Sequence, residues 1–432
     1  MKVVGIIAEY NPFHEGHKYQ LEKIRHETAA DYIVVVMSGD YVQRGMPAFL
    51  PKHRRAESAL RNGADLILEL PVGNAASSAE FFACGGVSLL EQLGCIDYLC
   101  FGAETDHLSI LKKIAVVLAD EPAFYIATLK SGLQKGLNFP AARSEALLQY
   151  LSDHSSSQED TIADFSYEEI EQILLSPNNI LAIEYLKVLN RLHSQIKPIL
   201  IQRLGNPYHD QLLDFSKYPS ASALRSLVST LTGTETFQKF KANLISDNKE
   251  TIYREYIDAI EQNKYLTPAD FNLLIHYQLL NETAESLLRY QDFPESLANR
   301  IEKNRNVFSD FESFCEKIKS KELTQTRIQR ALLHMLLNIT DVEKTVPYAR
   351  VLGFRKSSGP LLHKIKNCSS IPLVTKAADA ERIFSALPPV HAAKASQQFS
   401  QTIHASNIYE SVWSAKTKKE YTNEYQKKIL IL

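Results

Sequence analysis

An uninterrupted apolar run, Val3 to Ala8, opens the chain and stops at the turn-forming pair Asn11-Pro12. A run of this length without polar alternation predicts a strand buried on both faces, as in a parallel sheet. After Gly16 the period changes, and Tyr19, Leu21 and Ile24 place apolar groups on one face of a helix. Ala30 to Met37 predicts a second buried strand, ending at Ser38-Gly39-Asp40, and Lys52 to Asn62 a second helix. The segment LILELP (66–71) reads as a third strand, Ser77 to Leu93 as a helix, and Cys95 to Phe101 as a fourth strand closed by Gly102. Alternation of this kind calls for right-handed crossovers. The expected fold is α/β, a Rossmann-like doubly wound parallel sheet.

From Ser109 the pattern turns helical, over Ile110 to Ala119, Phe124 to Gly132 and Ala141 to Tyr150, before a polar loop, SDHSSSQED (152–160). A helix over Ile180 to Leu192 begins just past Pro177-Asn178-Asn179, and Lys197 to Gln202 predicts a short strand. Ser220 suits the cap of a helix carrying Ser222 and Arg225. Beyond about residue 235 strand signals become sparse. Amphipathic helices are predicted over Phe271–Leu280, Glu282–Tyr290, Leu297–Asn304, Phe311–Ser320 and Thr326–Leu337. The expected division is a catalytic domain over 1–235 and a mainly helical domain over 236–432, with the closing Ile-Leu-Ile-Leu tucked against the fold.

At 432 residues the chain is long enough for more than one core. Its 48 Lys+Arg against 50 Asp+Glu give a formal charge of −2, so a nucleic-acid partner would have to meet a local basic face. Five cysteines without a C-x-x-C pair fit reduced thiols. No signal peptide opens the sequence and no stretch is long and apolar enough for a membrane span, so a cytoplasmic, unanchored protein is expected.

The sharpest chemical feature is Asn11-Pro12-Phe13-His14-Glu15-Gly16-His17, placed after the first strand where the first helix opens. Two histidines three apart share a side of that junction. A helix N-terminus offers free N–H groups and the positive end of a dipole, so phosphate is favoured there. Imidazoles aimed at the same place can stabilise charge that develops as pyrophosphate leaves. No third ligand at metal spacing accompanies them, so no metal site is expected. Neither a GxGxxG fingerprint nor a GxxxxGK[ST] loop occurs, which argues against hydride transfer and P-loop hydrolysis.

The His14-Glu15-Gly16-His17 element resembles the signature of the nucleotidylyltransferase superfamily. The longer string GIIAEYNPFHEGHKYQL is more specific. So are MSGDYVQRGMPA (37–48), KHRRAESAL (52–60), GADLILELP (63–71), FGAE (101–104) and SPNNILAIEYL (176–186). Together they resemble the tRNA(Met) cytidine acetate ligase family, and TQTRIQRALLHMLLNI (324–339) and YARVLGFRKSSGPLL (348–362) extend the likeness over most of the chain. The resemblance implies that ATP activates acetate as acetyl-adenylate and that the acetyl group passes to N4 of the wobble cytidine of elongator tRNA(Met). It also implies ATP contacts at Ile7, Ala8, Glu9, Tyr10, Asn11, Pro12, Phe13, His14, Glu15, Gly16, His17, Lys18, Tyr19, Gln20 and Leu21. Further ATP contacts are implied at Gly102, Asn178, Arg203, Leu204 and Ser222. His14, His17, Lys18 and Arg225 are the candidate catalytic residues, neutralising the departing pyrophosphate. Magnesium is a reasonable companion of the ATP phosphates, with no dedicated acidic cage in the sequence. Oligomeric state is not legible.

Several residues keep two readings at this stage. Arg44 suits acetate, phosphate or RNA, or else a structural ion pair. Lys52, Arg54 and Arg55 form either an RNA or phosphate patch or a solvated helix face. Glu69, inside an apolar strand, either pairs with a buried arginine or orients a substrate; the role of Asp40 is equally open. Lys344 to Lys366 carries Lys344, Arg350, Arg355, Lys356, Lys364 and Lys366 with no acid, interleaved with Tyr348 and Phe354. With Arg327 and Arg330 it is a candidate surface for single-stranded RNA. Two other functions stay open: a nucleotidylyltransferase for a phosphorylated metabolite, and a nucleotide-sensing or RNA-binding module without catalysis.

Overall fold

The computed structural model describes residues 1–137, 139–153, 166–203, 220–231, 235–246 and 249–432. Leu204 and most of the polar segment 152–160 lie outside the described residues. The chain forms two compact units, residues 1–96 with 205–432 and residues 97–204. The first begins with β1 (Val3–Ala8), α1 (Glu15–Thr28) and β2 (Tyr32–Ser38). A short antiparallel hairpin, β3 (Tyr41–Val42) with β4 (Met46–Pro47), leads to α2 (Lys52–Arg61) and β5 (Leu66–Leu70). The single turn α3 (Val72–Ala75) and the longer α4 (Ala79–Gln92) follow.

The second unit starts at β6 (Tyr98–Ala103), continues through α5 (Leu108–Asp120), α6 (Ala123–Gln134), α7 (Phe139–Asp153), α8 (Tyr167–Leu175) and α9 (Pro177–Arg191), and ends with β7 (Lys197–Gln202). Strands β6 and β7 pair in parallel, Tyr98 opposite Lys197 and Ala103 opposite Gln202. The fourth predicted strand is therefore shifted towards its C-terminal side, and Gly102 lies within it rather than closing it.

The first unit resumes with α10 (Ala221–Leu231), α11 (Glu235–Ser246) and α12 (Glu250–Glu261). A run of short helices then follows: α13 (Asn272–Asn281), α14 (Ala284–Leu287), α15 (Glu295–Asn304), α16 (Phe311–Ile318) and α17 (Gln325–Leu336). Their apolar faces share one core with Tyr41 of the hairpin and with Tyr409 and Trp413. Gly45 at the hairpin tip (φ 73°) touches the α17 backbone; a Cβ there would lie 2.3 Å from the Arg330 nitrogen, so only glycine fits.

Strands return after α17. The chain forms β8 (Ala349–Phe354), α18 (Gly359–Cys368), β9 (Leu373–Val374), α19 (Ala380–Phe384), the long α20 (Pro389–Thr417) and β10 (Leu430–Ile431). The strand order in the first unit is β10-β8-β5-β2-β1, with β9 beside β8. Strands β1, β2 and β5 are parallel, Gly5 facing Val34 and Val34 facing Leu66. The core residues Ile33 to Val36 are wholly buried, as their unbroken apolar run predicts. Strand β8 is antiparallel to β5, with Glu69 facing Arg350 and a register shift between Ile67 and Leu68. The α/β expectation therefore holds, but the sheet is mixed and its far side comes from the C-terminal region.

What joins that region to the N-terminal strands is a buried ion cluster. Lys52 Nζ lies 2.7 Å from Glu69 Oε1, 2.8 Å from Glu424 Oε1 and 3.5 Å from Asp40 Oδ2, and donates to Ser406 Oγ at 2.7 Å. Arg350 donates to Glu69 Oε2 at 2.7 Å and to Glu424 Oε1 at 2.6 Å. Lys52, Glu69 and Glu424 are each 1% exposed. Burial pushes the Asp40 and Glu424 carboxyls up, but Lys52 with Lys427 at Asp40, and Lys52, His53 and Arg350 together at Glu424, more than offset it, and both are held below the usual carboxylate range. The expected surface patch at Lys52 and Arg55 is thus corrected: both side chains point inward, and Arg350 is likewise internal. The open question at Glu69 resolves to its pairing with a buried arginine.

We expect Arg350→Met to lower the unfolding free energy by about 3–5 kcal/mol, because it leaves buried carboxylates short of a cation. Lys344→Ala, which breaks an exposed pair with Glu80, should cost less than about 1 kcal/mol; urea titration measures both. Since Asp40 and Glu424 hold depressed values in the fold, the unfolded chain binds more protons in acid. Their contribution is complete above the unfolded carboxyl values of about 4 and is lost as pH falls below them. Acid titration of wild type should show that loss.

Candidate active site

The corner between β1 and α1 is held open by its own side chains. His14 is the N-cap of α1 in extended backbone (φ −148°, ψ 175°), and its Nδ1 accepts the Gly16 N–H at 3.1 Å. His17 answers as a capping box, its Nδ1 accepting the His14 N–H at 3.3 Å. The two rings stack, with centroids 3.7 Å apart and planes 24° apart. Because each Nδ1 accepts, each neutral ring carries its proton on Nε2. A Cβ at Gly16 would come within 3.0 Å of the His14 ring and crowd it. Tyr10 and Phe13 pack edge-on or tilted against His17, at 4.8 Å and 5.5 Å, and restrict its ring.

The backbone of this corner is tied from several directions. Gln43 N–H donates to Glu9 Oε1 at 2.8 Å, and Phe49 N–H to Asn11 Oδ1 at 2.7 Å. Arg55 is fully buried and spends its guanidinium on carbonyls: Leu50 at 2.9 Å, Glu9 at 2.5 Å, Ser38 at 3.1 Å, and Gly39. One side chain thus joins the segments that follow β1 and β2, and places a positive charge below them. From α10, Arg225 Nη1 donates to the Asn11 carbonyl at 2.5 Å and Nη2 to Ser222 Oγ at 3.2 Å. Ser220 caps that helix, accepting from the Ala223 N–H at 3.1 Å.

The structure therefore brings together His14, His17, Ser222 and Arg225. Ile7 and Ala8 end β1, Lys18, Tyr19 and Gln20 lie partly exposed on α1, and Leu21 is buried in the core. Lys18 pairs with Glu22 at 3.7 Å along the helix. In the second unit, Asn178 Nδ2 donates to Glu104 Oε1 at 2.6 Å, and the Asn178 and Asn179 N–H groups point at the same carboxylate. Asn179 Oδ1 in turn accepts from the Glu104 and Thr105 N–H groups. Arg203 N–H donates to the Ala103 carbonyl at 2.9 Å, just past Gly102. Glu104 and Asn179 were not singled out from sequence, although both lie inside motifs that were.

Elsewhere the candidate RNA surface shrinks. Arg350 and Tyr348 are core residues, Arg330 pairs with Asp292 at 3.0 Å, and Arg54 with Glu255 at 3.3 Å. Arg355 Nε donates to the Leu60 carbonyl at 2.9 Å. Lys356 and Lys366 remain exposed and Lys364 partly so. Among the described residues no group of three or more His, Cys, Asp and Glu side chains is placed to hold a metal ion, and no helix is long and apolar enough to cross a membrane.

The HIGH nucleotidyl transferase family model matches residues 1–424. The tRNA(Met) cytidine acetate ligase of Acetivibrio thermocellus is 38% identical over 386 residues, covering 88% of this chain and 89% of the relative. That of Halothermothrix orenii is 40% identical over 384 residues, covering 87% of each. The crystal structure of Thermotoga maritima TmcAL bound with alpha-thio ATP superposes with a TM-score of 0.86 at 28% identity over the whole of both chains.

The capping geometry makes a direct spectroscopic prediction. Long-range 1H–15N correlation spectra should show the neutral rings of His14 and His17 as Nε2–H tautomers. An Nδ1–H tautomer at either ring would contradict the caps.

Proposed function

The chain belongs to the tRNA(Met) cytidine acetate ligases within the HIGH nucleotidyl transferase family, and we propose that it joins acetate to AMP at the β1–α1 corner and passes the acetyl group to tRNA. It is an ATP-dependent ligase. In the first step an acetate oxygen attacks the α-phosphorus of ATP and the bond to pyrophosphate breaks. In the second, N4 of the wobble cytidine of elongator tRNA(Met) attacks the acetyl carbonyl, AMP leaves, and the amine loses a proton to solvent. The products are N4-acetylcytidine, AMP and pyrophosphate.

The observation that carries this reading is the pair of capped histidines. Their Nδ1 atoms accept backbone N–H groups, so in each neutral ring Nε2 carries the proton and is the atom that would donate to a phosphoryl oxygen as charge moves onto pyrophosphate. The N-terminal end of α1 adds its dipole. Arg225, held against the same corner, supplies a full positive charge, and Lys18 a second one on the exposed side. Gly102, Asn178, Arg203 and Leu204 keep the nucleotide-contact role that the motif resemblance gives them. We assign phosphate contacts with tRNA to Lys356, Lys364 and Lys366 in the C-terminal region, and the cytoplasm as the compartment in which the tRNA is met.

Incubation with ATP, isotopically labelled acetate and elongator tRNA(Met) should give labelled N4-acetylcytidine, detected by nucleoside mass spectrometry. His17→Ala should reduce acetyl-adenylate formation by about 100-fold or more while sparing tRNA binding; unchanged formation would remove His17 from the reaction. Lys356→Gln with Lys366→Gln should weaken tRNA binding and flatten its dependence on log salt by about 1–2. An unchanged slope would mean that these lysines only face solvent.

A further inference from the structure

The sequence of the corner contains an apparent misfit. Glu15 occupies the first turn of α1, between the two histidines, where a carboxylate would compete with a polyphosphate for the positive end of the helix. The fold answers from α12, far away in the chain. Lys249 Nζ lies 3.1 Å from Glu15 Oε2, and the Tyr253 hydroxyl donates to Glu15 Oε1 at 3.2 Å. Glu15 is 11% exposed in its side chain and Tyr253 is wholly buried. The Tyr253 phenol is pushed well above its ordinary value, chiefly by burial and then by Glu15, so it stays a donor at every ordinary pH.

The same helix reaches the other elements of the site. The Tyr256 hydroxyl donates to the Leu224 carbonyl at 2.6 Å, next to Arg225 on α10. The Tyr256 ring packs 5.7 Å from Phe49, whose N–H holds Asn11. Glu255 pairs with Arg54 of α2 at 3.3 Å. Helix α12 is therefore attached to α1, α10, α2 and the segment beside Asn11.

We propose that Lys249 and Tyr253 are positioning residues for ATP: they neutralise the Glu15 carboxylate and hold it in place, so that it does not compete with the triphosphate for the positive end of α1. Helix α12, which follows Lys249 and carries Tyr253 and Tyr256, sets α1 against α10 so that His14, His17 and Arg225 serve the same phosphates. This rests on the reading that ATP phosphates bind at the β1–α1 corner.

The test is calorimetric titration of ATP and of adenosine into the full-length protein, with thermal melting to verify folding. Lys249→Gln should weaken ATP binding about fivefold, the scale of a partly exposed ion pair, and more at low salt. Adenosine, which carries no phosphate, should bind variant and wild type alike. Adding Glu15→Gln to Lys249→Gln should restore ATP binding to within about twofold of wild type, because the uncompensated charge is gone. A lysine with a merely structural role would not be rescued in this way. Tyr253→Phe should shift ATP binding in the same direction without changing that of adenosine. The inference is overturned if Lys249→Gln binds ATP normally, if adenosine weakens as much as ATP, or if Glu15→Gln gives no rescue. His17→Ala separates this from the underlying reading: if it too leaves ATP binding and adenylate formation unchanged, the phosphates are not at this corner.

Discussion

Placing Lys52, Glu69, Arg350 and Glu424 in the buried interior is the constraint on which the first unit turns. A buried ion without its partners costs several kcal/mol, so each of these groups requires the others. Lys52 opens α2, Glu69 lies in β5, Arg350 in β8, and Glu424 just before β10. The C-terminal strands cannot leave the sheet without exposing Glu69 and Lys52 to an unmatched interior. This is why residues nearly three hundred positions apart belong to one compact unit.

A second buried cation works by different means. Arg55 meets carbonyl oxygens, four of them, gathered where β1 and β2 end and where the chain enters α2. Carbonyl ends that face a ligand would repel phosphate; here they are turned inward onto a guanidinium. What remains at the corner is the N-terminal end of α1, the two imidazoles and Arg225. In the proposed function, the corner is thus prepared for an anion by residues that need not touch the nucleotide.

Much of this was legible in particular residues. The unbroken apolar runs marked β1, β2 and β5, and the spacing of His14 and His17 at a strand-to-helix junction identified the corner. Ser220 was readable as a cap. Basic residues were the poorest guide. Lys52, Arg54 and Arg55 read as one helix face, yet two of them are buried and the third is paired. The segment around Arg350 read as an RNA surface because its basic and aromatic residues interleave with no acid, while its carboxylate partners lie far away in the chain. The strand β8 was not predicted. Lys249 and Tyr253 carried no local signal, since their importance comes from Glu15, more than two hundred residues away.

By itself the sequence determined the local structure and the chemical alphabet of the site: the β-then-α rhythm, the histidine-capped corner and the family to which it belongs. These depend on periodicity and on contacts between near neighbours, which a linear chain displays directly. The tertiary structure alone decided which charges are paired, which strand completes the sheet, and how Glu15 is held at the start of α1. Charge pairing and desolvation are set by distance in space and by the exclusion of water. Neither is a property of any residue until the chain has closed around it.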